Sequence, residues 1–280
     1  MAAFQSASER TAMGAVYTAC ALGLAFLAAP IFAIIPLSFN AESFFHYPMR
    51  GFSLRWYEAI AASDAWRRAL ANSLIVGIAT TVIATAVGSL AAVGLNRLRP
   101  RTKSILIGVL ISPMIMPGVV TALAVFLFYS SLELAGNLAG IVLAHTIMGL
   151  PFVVITLTAA LIGFDRNLMH AAASLGASPL TAFRRVMVPL MMPAMASSAV
   201  YVFVTSFDEF IVTSFLAGPE QYTLPLQMWA GVHDDVTPTI LAAATLFVLA
   251  SVLLLVSIEV LRRRAERLRG AGARGARRPS

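Results

Sequence analysis

Two adjacent acids, Asp208 and Glu209, stand in a stretch that is apolar on both sides. An ionised side chain at mid-bilayer costs about 2.5–3.5 kcal/mol on insertion scales, so two are tolerated only beside water, a partner or a ligand. Neighbouring helical residues point about 100° apart, so both can border one wide path while only one faces its axis. The chemistry open to them is ion pairing: Asp208, helped by Glu209, would hold an ammonium group or another cation in transit. The competing reading is structural, a carboxylate bonded to a neighbouring helix or to a basic residue of a partner chain. Ser206 and Tyr201 precede the acids by one and two turns and fit the same face. Trp56 lies outside the apolar stretches; its ring could stack over an ammonium by cation–π attraction, or serve as a plain interface anchor.

Other reactive residue types assemble nothing. His46, His145 and His233 are scattered and lack metal-ligand spacing, so no metal is expected. Cys20, the single cysteine, lies in an apolar run, which excludes a disulfide framework and a cysteine metal site. There is no glycine-rich phosphate loop followed by Lys-Ser/Thr, and no catalytic spacing of Ser/His/Asp or paired carboxylates outside the apolar runs. The chain is expected to be neither an enzyme nor a cofactor binder.

The elements that must position these residues are membrane spans. The 280 residues are 59% hydrophobic and 12% charged, about half the roughly 25% charge of a globular chain, too little to cover a soluble surface. Six stretches, at about 12–37, 70–95, 105–129, 138–162, 191–217 and 239–261, suffice to cross about 30 Å of hydrocarbon as helices of around 20 residues. The expected fold is an all-α, six-helix, multi-pass membrane protein. The uncharged stretch 12–37 exceeds the roughly 7–15 residues of a signal-peptide core, and is read as a retained span. Gly77, Ala84, Gly88 and Ala91 recur at near-helical spacing, which suits close helix packing or an alanine-rich lipid-facing surface.

Sixteen of the twenty basic residues fall in the tail 1–11, the loops after spans two and four, and the tail 262–280. The opposite loops hold Glu133, Glu220, Asp234 and Asp235. Both termini are therefore expected in the cytoplasm, which an even number of spans satisfies. No aromatic residues interleave the basic tail, so the charge of +7 is an orientation signal and no nucleic-acid partner is expected. In the long outer loop, Leu54–Ile60 and Trp66-Arg67-Arg68 suggest a short helix lying in the lipid interface.

The loop at 165–189 contains more structure than a connector needs. Asp165 and Asn167 offer helix N-caps before the helix-forming residues 168–175, and Gly176 stands where a helix C-terminus favours a left-handed residue. Ser178 and Pro179 start a second helix that runs to Met187, and Pro189 and Pro193 mark the entry to span five. A helix–turn–helix here implies that something docks on it.

This segment resembles the coupling motif of ABC importer permeases, Glu-Ala-Ala, three residues, Gly, nine residues, Ile-x-Leu-Pro. The matching residues are His170, Ala171, Ala172, Gly176, Val186, Val188 and Pro189, with His in place of Glu and two valines in place of Ile and Leu. Further stretches resemble the spermidine/putrescine branch: Leu54–Tyr57, His145–Val154, Gly163–Asp165, Ser206–Phe210, Leu224–Leu226, and Pro238 with Ala243–Leu246. One position departs: where that branch often has an acid after the proline of span three, Gly118 follows Pro117.

The resemblance implies a type I ABC importer permease fold in the bacterial inner membrane. It implies a sister permease chain, two cytosolic subunits that bind and hydrolyse ATP, an external substrate-binding protein, and a loop at 165–189 that carries ATPase closure to the spans. Ferric iron or a small amine is the alternative cargo. An ion-coupled carrier, with Asp208 or Glu209 as proton site, is the remote one, since no internal duplication is visible.

Overall fold

The computed structural model describes residues 7–43, 49–165, 167–234, 237–253 and 256. His46, Arg166, Asp235, the start of the N-terminal tail, the end of the sixth expected span and the basic tail 262–280 lie outside the described residues. The helices are α1 (Ala7–Leu37), α2 (Arg55–Ala62), α3 (Asp64–Leu95), α4 (Pro100–Ile115), α5 (Gly118–Ser130), α6 (Leu138–Ile162), α7 (Asn167–Ser174), α8 (Pro179–Ala182), α9 (Val188–Phe207), α10 (Ile211–Leu216) and α11 (Leu224–Asp234). A last apolar helix, α12, spans Pro238–Leu253. Among the described residues there is no strand, only an isolated bridge between Asn40 and Phe52.

The chain forms two compact units, Met1–Ser63 with Gly231–Ala250, and Asp64–Ala230 with Ser251–Ser280. In the first, residues 12–27 of α1 are exposed throughout, an apolar surface suited to lipid or to another chain. The start of the outer loop is fastened to α2. The Ser38 and Tyr57 hydroxyls are 2.6 Å apart, the rings of Phe39 and Tyr57 are 5.0 Å apart, and Trp56 Nε1 donates to the Asn40 carbonyl at 2.8 Å.

The second unit is built on α3, α6 and α9, which pack against one another. Small residues make the contact possible. A Cβ on Gly88 would fall 2.7 Å from Val153 Cβ, and one on Gly149 would fall 2.9 Å from Val202 Cγ1. The small-residue face of α3 is thus a packing surface, with Ala84 fully buried. On the side of the expected outer loops, Asn72 Nδ2 donates to the carbonyls of Glu220 (2.9 Å) and Tyr222 (3.0 Å), and Ser73 Oγ accepts from Leu224 N–H (2.7 Å). These bonds strap the turn before α11 to the start of α3.

The spans differ from the six uninterrupted ones expected. Among the described residues, four helices are long and apolar enough to cross a membrane, or up to five if the bent pair α4–α5 is counted as one span. The stretch at 105–129 bends by 103°. Pro117 disfavours a helical conformation in Met116, whose ψ is 143°, and the helix stops there. The stretch at 191–217 starts earlier and ends earlier: the apolar helix runs from Pro179 to Phe207, and a separate α10 begins at Ile211. Pro189 therefore lies inside a helix. The chain accommodates it with a π-helical turn at Phe183–Met187, since proline removes one helical hydrogen bond and crowds the carbonyl four residues back. In the stretch at 239–261, the described helix ends at Leu253.

Candidate functional site

Both breaks in the spans border one cavity of about 350 Å3. Met116 and Gly118 line it from the first break and Glu209 from the second, while α6 contributes His145 and Phe152 and α9 contributes Ser206. The breaks touch: a Cβ on Gly118 would meet Ile211 Cδ1 at 3.1 Å. Non-helical backbone is tolerated at membrane depth only where protein buries it or a cavity receives it, and here the two irregular segments share both conditions.

Glu209 organises the second break. Its Oε1 accepts from Val212 N–H at 2.7 Å, and its Oε2 accepts from Thr213 N–H and Thr213 Oγ1, each at 2.9 Å. The carboxylate thereby satisfies N–H groups at the start of α10 that have no helical acceptor. His145 Nε2 lies 3.2 Å from the same Oε2 and 3.1 Å from Thr213 Oγ1, while its Nδ1 is 2.8 Å from Ser206 Oγ. A ring protonated on Nε2 satisfies this set, with Ser206 donating to Nδ1. The His145 side chain is 1% exposed and that of Glu209 11%. One network therefore ties α6, α9 and α10 together at the cavity wall.

Asp208 differs in every respect. It caps the end of α9 with its N–H on the Val204 carbonyl (3.0 Å), is exposed, does not line the cavity, and among the described residues its carboxylate has no hydrogen-bond or ion-pair partner. The two acids thus face different surroundings, one saturated and one free.

Of the remaining candidates, Ser206 is buried and lines the cavity beside His145. Tyr201 is half exposed and does not line the cavity, its ring centroid lying 4.4 Å from that of the lining Phe152. Trp56 belongs to the other unit, where the Arg55 guanidinium lies 4.1 Å from its ring centroid and already occupies one cation–π position. Sequence reasoning set His145 aside as one of several scattered histidines and passed over Thr213. The available signal was an ionisable residue in the middle of an apolar span, which by default marks a functional position.

The loop at 165–189 folds as two helices around Gly176. Asp165 Oδ1 accepts from Asn167 N–H at 2.9 Å, ahead of α7. At the far end, Gly176 N–H donates to the Ala173 carbonyl and Ala177 N–H to the Ala172 carbonyl, with Gly176 at φ 83°. That is a Schellman end, which requires the left-handed residue. Ser178 caps α8 by accepting from Thr181 N–H at 3.3 Å. His170, Ala171 and Pro189 are exposed, Ala172 and Val186 half-buried, and Leu175 is 89% exposed.

Residues 84–267 match the family described as binding-protein-dependent transport system inner membrane component. The chain belongs to that family. Over 239 residues it is 34% identical to the spermidine/putrescine transport system permease protein PotC of Escherichia coli K12, covering 85% of this chain and 90% of that one. It is 33% identical over 232 residues to the putrescine transport system permease protein PotI of the same strain, covering 80% and 82%. Among solved structures, it resembles a chain of a bacterial alginate ABC transporter in complex with an alginate pentasaccharide-bound periplasmic protein. That match has a TM-score of 0.70 at 15% identity and covers 93% of this chain and 96% of that one. The fold is that of type I ABC importer permeases, and this family member is a transport subunit of the inner membrane.

Proposed function

We propose that the chain is one of two membrane subunits of an ATP-driven importer for polyamines, with Asp208 as the cation-pairing carboxylate of the path and Glu209 as the residue that positions it. The observation carrying this reading is the free, exposed carboxylate of Asp208 beside a neighbour whose hydrogen bonds are filled by its own fold. A free anion in a membrane protein seeks a cation, and an ammonium group supplies charge and donors together. Similarity to PotC and PotI, named for spermidine and putrescine transport, supports polyamines over ferric iron or another small amine.

In this reading a sister permease packs alongside, and the exposed apolar face of α1 suits such a neighbour. An external binding protein delivers the solute, and separate cytosolic subunits bind and hydrolyse ATP, since this chain has no phosphate loop of its own. The loop 165–189 engages those subunits through His170, Ala171, Ala172 and Gly176. Val186 and Pro189 lie where the loop runs into α9. Because α8, the π-helical turn and α9 form one apolar helix ending at Phe207, a displacement of the loop reaches the break at 208–210 without crossing a flexible joint. ATP-driven closure then rocks this helix and opens the path to alternate sides.

The test is uptake of labelled putrescine and spermidine by cells lacking the chain, with and without its re-expression. Restored uptake that collapses on ATP depletion is expected. Uptake indifferent to the chain would remove polyamines as the cargo.

A further inference from the structure

A second cavity, of about 270 Å3, lies at the end of the bundle that carries the basic loops. Leu161, Phe164, Met169 and Met187 form its apolar wall, and Asn96, Arg97 and His170 its polar rim. Lys103 does not line the cavity, but its Nζ lies 3.4 Å from Oδ1 of the rim residue Asn96, which places a second cation beside that rim. Arg97 is exposed and has no acidic partner among the described residues. Asp165, next to the lining residue Phe164, does not itself line the cavity, and its Oδ1 accepts from Asn167 N–H.

We propose that this cavity binds an anionic phospholipid, its phosphate on Arg97 and Lys103 and its glycerol and upper acyl segment against Phe164 and Met169. Depth and shape both support a lipid. The apolar helices α3 and α6 end at Leu95 and Ile162, so Asn96 and Phe164 fall just past the hydrocarbon edge, where head groups lie. A water takes roughly 30 Å3, so the cavity has room for a small head group. An apolar wall with a cationic rim fits a ligand that is itself apolar at one end and anionic at the other, and basic pockets between membrane helices on the cytoplasmic side are known head-group sites.

The consequence concerns the loop. Met169, His170 and Met187 belong to 165–189, whereas Asn96 and Arg97 follow α3, so one lipid braces the loop against the bundle. If the loop couples to ATPase subunits as proposed above, the content of anionic lipid then sets how firmly it is held. Lipid retention can be measured without transport, so failure of the polyamine reading would leave this proposal standing.

The assay is native mass spectrometry of the full-length chain purified from nanodiscs of phosphatidylcholine with one-fifth phosphatidylglycerol. The unaltered chain is expected to retain one phosphatidylglycerol. Arg97→Gln with Lys103→Gln should reduce retention at least fivefold. Met169→Trp, which keeps every charge and fills the apolar wall, should reduce it equally. Retention unchanged in Met169→Trp would mean general charge attraction and overturn the site. Millimolar inorganic phosphate displacing the lipid in the unaltered chain would reassign the rim to free phosphate and also overturn it. Thermal unfolding in pure phosphatidylcholine, expected to match the unaltered chain for both variants, separates lost binding from lost fold.

Discussion

The two interrupted spans reach the same cavity by different means. At Met116–Pro117 the break is covalent: proline makes it, and no charged side chain takes part. At Asp208–Phe210 no proline is present, and the break depends on Glu209 turning its carboxylate onto the N–H groups of Val212 and Thr213. A break written into the backbone survives most side-chain changes. A break held by hydrogen bonds is only as stable as its donors and acceptors, and it leaves the adjacent Asp208 free of structural duty.

That contrast orders the expected effects on stability. Glu209→Ala should be most damaging: it strands two N–H groups, Thr213 Oγ1 and the Nε2–H of His145 together, and each buried group left unsatisfied costs about 1–3 kcal/mol. Thermal unfolding of the purified chain and its abundance in membranes would both fall. His145→Ala should follow at about 1–3 kcal/mol, since it leaves Ser206 Oγ and one face of the carboxylate unpaired. A loss in this variant as large as in Glu209→Ala would move the keystone to the histidine.

Two glycines sharpen the comparison from outside the breaks. Gly88→Ala drives a Cβ into the Cβ-branched Val153 rather than into a flexible tip, and overpacking of this kind costs about 1–3 kcal/mol. Gly176→Ala forces a side chain into left-handed backbone, at about 1–2 kcal/mol. That loss should appear as faster amide exchange confined to the loop 165–189. Asp208→Asn should change stability least, within about 0.5 kcal/mol, as for surface substitutions generally.

Local rules made much of this legible. The helix–Gly–helix of the loop follows from capping residues that act over four or five positions, and the structure supplies each bond for Asp165, Gly176 and Ser178. The membrane class follows from composition, whereas the small residues of α3 suited either close packing or a lipid-facing surface until the contacts of Gly88 and Ala84 decided for packing. The breaks were illegible for two reasons. Pro117 lies in a run whose hydropathy continues on both sides, so a count of apolar residues passes straight through it. The stop at Asp208 depends on Glu209 folding back and on His145, sixty-four residues away in sequence, and no local pattern encodes that meeting. The division of labour between the two acids was hidden for the same reason, since their types are equivalent and only their partners differ.

The most direct test compares Asp208→Asn with Glu209→Gln in one assay: labelled spermidine uptake normalised to chain present in the membrane, with thermal unfolding of each purified chain alongside. Uptake reduced about tenfold or more for Asp208→Asn with unfolding unchanged, and a lowered unfolding temperature for Glu209→Gln, is the predicted result. Full uptake by Asp208→Asn, or unchanged stability of Glu209→Gln, would contradict it.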